Sequence, residues 1–379
     1  MRVKQKLLLT PGPSPIPPFI REALGRQIIH HRTDEFKEVL GRVSQSLKEI
    51  FFTSSPVLVL ASSGTGAMEA AVSSFFSSQD KVIVIEGGKF GQRWKEIATR
   101  YGLDVVNYSI DWGSAPDPNY LKQLLESESK VKGILTTLCE TSTGTVYDIE
   151  SIGNLTRNRE VILIVDAISG LGQDKLLTDE WGVDVVVAAS QKGLMLPPGL
   201  SFISISKKAE EFLRRSNLPK YYFDLNLALK SYQKNDTPFT PSVSLILGLE
   251  ASLNFIREEG IHNRWKKFSK LAKATQEAVK AMGLNLFSSR PSNSVTAVWA
   301  PSSIKSSQLV SKLRKEYGVS IAGGQGEFKD KIFRIAHMGA IDEDDLVVGF
   351  YFLEKVLKDL GYSLKLGSSI VKLEEVLYA

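Results

Sequence analysis

The 379-residue sequence predicts an α/β fold: a mostly parallel sheet in a large domain, followed by a smaller C-terminal α/β domain. Three observations carry that expectation. Between about residues 56 and 205, apolar runs of strand length alternate with segments whose apolar residues recur at helical spacing. The strand-length runs are continuously apolar rather than alternating, which is how strands read when helices cover both faces of a parallel sheet. Past about residue 245 the texture changes to longer helical patterns and fewer strands.

Taken in order, the opening "MRVKQKLLLTPGPSPIPP" can be neither helical nor part of a central strand, because its prolines lack donors and force extended neighbours. It reads as an arm lying over another surface, which a second subunit could supply. "PPFIREALGRQ" and "DEFKEVLGRVSQSLKEIFF" have helical spacing. "PVLVLAS" is a strand, followed by a turn at Ser63–Gly64–Thr65 and the small-residue helix "AMEAAVSSFF". Strand–helix pairs follow in "KVIVIEG" and "FGQRWKEIATRYG", "DVVNYSI" and "DPNYLKQLLESES", "VKGILTTLCE" and "DIESIGNLTRNR". "EVILIVDAISG", "VDVVVAAS" and "LSFISIS" complete the strands. A long helical pattern covers roughly 243–282. After it come "LNLF", "SVTAVWA", the helix "SSQLVSKLRKEYG", the Gly-rich "AGGQGEFKDK", the strand "IFRIAHM" and the helix "DEDDLVVGFYFLEKVLKDLG". The expected division is an arm over 1–20, a large domain over 21–255 and a small one over 256–379, with the boundary inside the long helical pattern.

Composition narrows the class. Hydrophobic residues make up 43% and charged residues 23%, with a net charge of +5, values of an ordinary soluble globular chain. The most basic stretch, "NRWKKFSKLAKATQEAVKAMG", has helical spacing and no interleaved base-stacking aromatics, so it reads as a solvated helix face and no nucleic-acid partner is expected. The single cysteine, Cys139, fits a reducing compartment. The apolar part of the opening segment is too short for a signal peptide, and no run approaches membrane-spanning length, so the expectation is a cytoplasmic protein without a membrane partner. The four histidines show no ligand spacing with a second His or Cys, so no metal is expected, and His31 and His337 read as structural.

In an open α/β sheet, ligands collect at the carboxyl ends of the strands. One strand end carries Ser63–Gly64–Thr65, the next Glu86–Gly87–Gly88 leading to Phe90. Others carry Cys139–Glu140–Thr141–Ser142–Thr143–Gly144, then Asp166, then Ser190–Gln191–Lys192. The Ser63 turn is either a plain N-cap or an anion cradle of backbone N–H groups that Gly64 lets a ligand approach. Asp166 ends the apolar run "VILIVD", where an unpaired carboxylate is expensive, so it is either a structural cap or the partner of a cation. Lys192 ends a buried strand run. A lysine, a buried acid and a phosphate cradle on one rim fit pyridoxal phosphate, which needs an amine for its Schiff base, an acid for its pyridine nitrogen and an anion site for its phosphate. No Walker loop and no G-x-G-x-x-G after a strand supports a nucleotide. Arg334, embedded in the strand "IFRIAHM", suits a carboxylate clamp, since guanidinium pairs with carboxylate bidentately.

The sequence resembles the class V aminotransferases of fold-type I, in their alanine–glyoxylate and serine–pyruvate branch. The resemblance rests on "LLLTPGPSPIPP", "SSGTGAMEAA", "GKFGQRW", "ETSTGTVYDI", "LIVDAISGLG", "SQKGLMLPPG", "TPSVSLILGLEASL" and "FRIAHMG", which together span nearly the whole chain. It implies that Lys192 holds the cofactor aldehyde and that Asp166 contacts the pyridine nitrogen. It implies Phe90 as the aromatic that stacks on the ring, where several relatives have tryptophan. Ser63, Gly64, Thr65 and Gln191 would bind the phosphate, with Thr141 near the ring substituents and Thr240 reaching the phosphate from a second subunit of a homodimer. Thr237 stands where some relatives carry a tyrosine. Arg334 would clamp the substrate carboxylate, and Gly12 would lie against the substrate.

The expected activity is ping-pong transfer of an amino group from alanine or serine to glyoxylate or pyruvate, with the freed Lys192, its pKa depressed by its pocket, as general base. Two rivals stand beside it: an aminoethylphosphonate–pyruvate aminotransferase and a non-catalytic scaffold of the same fold. Cysteine desulfurase chemistry needs a mobile nucleophilic thiol, and Cys139 reads instead as a core residue.

Overall fold

The computed structural model describes residues 6–379, so the first five residues of the expected arm lie outside it. Its central sheet has seven strands: β1 (Val57–Leu60), β2 (Lys81–Glu86), β3 (Asp104–Ser109), β4 (Val131–Thr137), β5 (Ile162–Asp166), β6 (Val185–Ala189) and β7 (Ser201–Ile205). The order across the sheet is β1-β7-β6-β5-β4-β2-β3, and all pairings are parallel except the two made by β7. The continuous apolar runs thus have the cause inferred for them. Residues such as Ile162, Leu163, Ile164 and Val165 are all buried because alternate side chains enter two separate cores.

Helix α1 (Asp34–Phe51) opens with Thr33 accepting a hydrogen bond from the Phe36 N–H and buries Phe36, Val39, Leu40, Val43 and Leu47 on one stripe. Helix α2 (Gly64–Phe75) lies on the other face of the sheet. Its alanines and serines let it sit deep among Val187, Ile203 and Ile205, and helix α3 (Lys89–Arg100) packs beside it with Trp94 fully buried.

The pattern over 243–282 is two helices rather than one. Helix α4 (Val243–Glu259) stops at Gly260, whose φ of +79° leaves the helical region, and α5 (Ile261–Ala281) starts anew. Apolar residues up to Ile256 belong to a core under the large sheet, whereas those from Phe268 onward belong to a separate C-terminal core. That second core is built on a three-stranded antiparallel sheet of β8 (Val295–Trp299), β9 (Ala322–Gly323) and β10 (Ile332–Ala336), ordered β8-β10-β9, with α5 and α6 (Glu343–Asp359) against it. The short strand β9 falls inside the expected Gly-rich loop. The final segment forms helix α7 (Ser368–Leu377), which packs on α5.

The N-terminal arm covers its own chain. Leu7 and Leu8 pair in parallel with Val319 and Ser320, the Ala336 N–H donates to the Leu9 carbonyl at 2.9 Å, and the arm then crosses to the loop after β6.

Candidate active site

Because β1, β2, β4, β5 and β6 run parallel, their carboxyl ends meet on one rim. Asp166 is the last residue of β5, and Lys192 lies three residues beyond the end of β6, the neighbouring strand. Asp166 is buried, and its Oδ1 accepts the Ile168 N–H at 2.8 Å. Burial pushes its carboxyl up to about 7, while the Ile168 bond and the charges of Arg93 and Lys192 pull the other way. The Lys192 amine is pulled down to about 8. Burial is the main cause, opposed by Asp166 and reinforced by Arg334 and Arg93. The two groups therefore titrate close to neutrality, each in the field of the other.

The arm closes over this pair. Lys192 Nζ donates to the Pro11 carbonyl. Ser14 ties down the lysine's own backbone, its N–H donating to the Gln191 carbonyl at 3.0 Å and its hydroxyl to the Lys192 carbonyl at 2.8 Å. From the far side Arg264, almost fully buried in the first turn of α5, donates to the Gly193 carbonyl at 2.9 Å and the Gly339 carbonyl at 3.0 Å while pairing with Glu259 at 2.6 Å. The lysine loop is thus held by the N-terminal arm on one side and by α5 on the other.

The N-terminus of α2 is the place where the anion cradle is expected. Ser63 occupies the cap position without a side-chain capping bond, and the residue is exposed. Gly64 packs so tightly on the loop after Asp166 that a β-carbon would lie 2.9 Å from Ile168 Cγ1. Thr65 Oγ1 accepts from Arg93 Nη1 at 3.2 Å. Gln191 Oε1 is buried and has no hydrogen-bond partner among the described residues.

Phe90 stands in the first turn of α3, with the Arg93 guanidinium 4.8 Å from its ring centroid. Thr141 is buried, its Oγ1 sharing a 2.6 Å hydrogen bond with Ser169 Oγ. Arg334 on β10 is also buried. Nη1 donates to the Thr141 carbonyl at 2.9 Å, and Nε and Nη2 both donate to the Gly323 carbonyl at 3.1 and 2.8 Å. Burial lowers its pKa to about 10, with Glu140 opposing. Those bonds fix the guanidinium at the junction between the central sheet and the C-terminal sheet.

Thr240 lines a small pocket with Leu60 and Ala61, just ahead of the Ser63 turn. It sits exposed on the loop before α4 and makes no hydrogen bond to another candidate residue. Cys139 is buried, and burial drives its thiol far up. His337 is buried with both ring nitrogens engaged, Nε2 with Thr296 Oγ1 at 2.9 Å and Nδ1 with the Asn293 carbonyl at 2.7 Å, and burial lowers its pKa to about 4.

The sequence assigned no role to Arg93, Glu140, Ser14 or Arg264, although Glu140 stood in the strand-end cluster. Arg93, Glu140 and Ser14 lie inside "GKFGQRW", "ETSTGTVYDI" and "LLLTPGPSPIPP", so the signal was a polar residue within a segment already singled out; for Arg264 there was none.

The family model for "Aminotransferase class-V" matches residues 21–328. The chain is 39% identical, over 94% of each chain, to a Synechococcus protein named "Soluble hydrogenase, small subunit". It is 33% identical to a serine–glyoxylate aminotransferase of Arabidopsis thaliana, over 96% of this chain and 93% of the relative. Among solved structures it matches ureidoglycine–glyoxylate aminotransferase from Bacillus subtilis with a TM-score of 0.95 and 26% identity, over the whole of both chains.

Proposed function

The chain belongs to the class-V aminotransferase family, and on that premise we propose that it moves an amino group from a small L-amino acid, alanine or serine, to a small 2-oxo acid, glyoxylate or pyruvate. The observation that carries the reading is the pairing of buried Asp166 with part-buried Lys192 at adjacent strand ends, with Arg334 brought to them from the C-terminal sheet. The family implies pyridoxal phosphate, and the residues fit it. The α2 N-terminus lacks a capping side chain, and the lysine amine stands beside a buried acid. The phosphonate alternative is not favoured, since several of the aminotransferase relatives are named for glyoxylate.

When bound, the cofactor supplies an electron sink for the carbanion formed at the donor's α-carbon. Ser63, Gly64, Thr65 and Gln191 would hold its phosphate, Asp166 its protonated ring nitrogen, Phe90 one ring face, and Thr141 would lie beside the ring substituents. Lys192 Nζ would carry the proton away from the α-carbon, a task suited to an amine that burial keeps near neutrality. Arg334 would pair with the carboxylate that amino donor and oxo acid both present. Gly12 and the arm would exclude water from the lysine.

The reading includes a homodimer in which Thr240 of the partner subunit reaches the cradle. The exposure of Thr240 supports this. The reading also places the protein in the cytoplasm, supported by the single, buried thiol. No helix among the described residues is long and apolar enough to cross a membrane.

The test is the visible spectrum of the purified protein. A yellow band that bleaches with L-alanine or L-serine and returns with glyoxylate or pyruvate is expected. A protein that stays colourless with added pyridoxal phosphate refutes the reading, and light scattering at monomer mass with a coloured site refutes the shared cradle.

A further inference from the structure

Glu140 has no part in the chemistry above, yet it is the most heavily hydrogen-bonded side chain beside the site. It is fully buried in the hairpin Cys139–Glu140/Thr145–Val146 that follows β4. Its Oε2 accepts the backbone N–H groups of Phe90 and Gly91, each at 3.0 Å. Its Oε1 accepts from the Ser142 N–H at 3.1 Å and the Ser142 hydroxyl, and that hydroxyl in turn accepts the Lys89 N–H at 3.0 Å. The first turn of α3, whose N–H groups have no partner within the helix, is thus capped by a carboxylate some fifty residues further along the chain. Gly88 makes room for it, since a β-carbon there would lie 2.5 Å from Glu140 Cγ.

The same hairpin carries Thr141, whose carbonyl orients Arg334 Nη1. One carboxylate therefore joins the turn that presents Phe90 to the turn that presents the anchor of Arg334.

We infer that Glu140 is a positioning residue that sets Phe90 and Arg334 relative to each other, so that the ring plate and the carboxylate clamp are built as one unit. It acts through the Phe90 backbone and the Thr141 carbonyl and touches no reacting atom. The inference rests on the transaminase reading. A carboxylate that merely capped a helix would support the fold and leave substrate binding and the cofactor's surroundings untouched.

The variant E140Q keeps the shape but turns an amide N–H₂ toward donors. The variant S142A keeps the charge and removes one donor. Three readouts separate the roles: urea melts, the induced visible circular dichroism of bound pyridoxal phosphate, and KM against kcat for donor and acceptor. E140Q is expected to raise KM for both substrates about tenfold, the scale of one lost charge-assisted hydrogen bond, and to weaken the induced signal. S142A should move both in the same direction by less, with melts close to wild type. A lower melting point with wild-type KM and wild-type dichroism overturns the inference. Should E140Q fail to fold, wild-type KM and dichroism in S142A overturn it instead. A wild-type protein without a visible cofactor band overturns the transaminase reading, whereas a coloured, active wild type with unresponsive variants overturns only the role of Glu140.

Discussion

Gly12 lies directly against the Lys192 side chain: a β-carbon on Gly12 would fall 2.6 Å from both Cδ and Cε of the lysine. At φ +98° Gly12 also holds left-handed backbone that side chains disfavour. The arm is thereby shaped around the amine. Gly12→Ala is expected to lower kcat by about 10²-fold, the cost of displacing a catalytic group by about an ångström, with far-ultraviolet circular dichroism unchanged. Wild-type turnover in this variant would mean that the arm does not rest on the lysine during catalysis.

The titration of Lys192 has a signature in the cofactor-free protein. Its pKa falls from 10.5 unfolded to about 8 folded, so between those values the unfolded chain holds more protons. Raising the pH across that window therefore stabilises the folded state, and below about 8 the cost of burying the charged amine is fully present. Denaturant melts should find Lys192→Met more stable than wild type at pH 7, with the gap narrowing as pH rises from 8 to 10.5. A gap independent of pH would contradict the buried charged amine.

Asp166 works in the opposite sense. Its folded pKa of about 7 lies above its ordinary 3.8, so its destabilising contribution grows as pH rises through that interval and is complete above 7. Asp166→Asn should make the cofactor-free protein more stable at pH 8, yet lower kcat by about 10²–10³-fold through loss of a preorganised charge. Equal losses of stability and activity would mark the acid as structural only.

Arg334 is held by three donors to two carbonyls, a geometry that an ammonium cannot copy. Arg334→Lys should raise KM for donor and acceptor alike by about 10–100-fold while the cofactor's visible band is retained. Steady-state kinetics with both substrates check this, and an effect on kcat alone would assign the arginine to another step.

The strands were legible because burial on both faces writes itself into consecutive residues, and Asp166 and Lys192 were legible because they end such runs. The turn at Ser63–Gly64–Thr65 was ambiguous from sequence. The missing cap bond and the packing on Ile168 are visible only in the structure, and they support the cradle reading over the plain N-cap. The break at Gly260 was hidden, because apolar periodicity continues on both sides of it and only its positive φ ends the helix.

By itself the sequence determined the α/β class, the run of strands and helices, and which residues stand at the strand ends, since each depends on periodicity within a few neighbours. Tertiary structure alone decided that β7 runs against its neighbours, that the arm folds over its own lysine, and that Arg334, Thr141, Glu140 and Phe90 meet. Those meetings join segments tens to hundreds of residues apart. They are made by packing and backbone hydrogen bonds between elements, which leave no periodic trace in the chain.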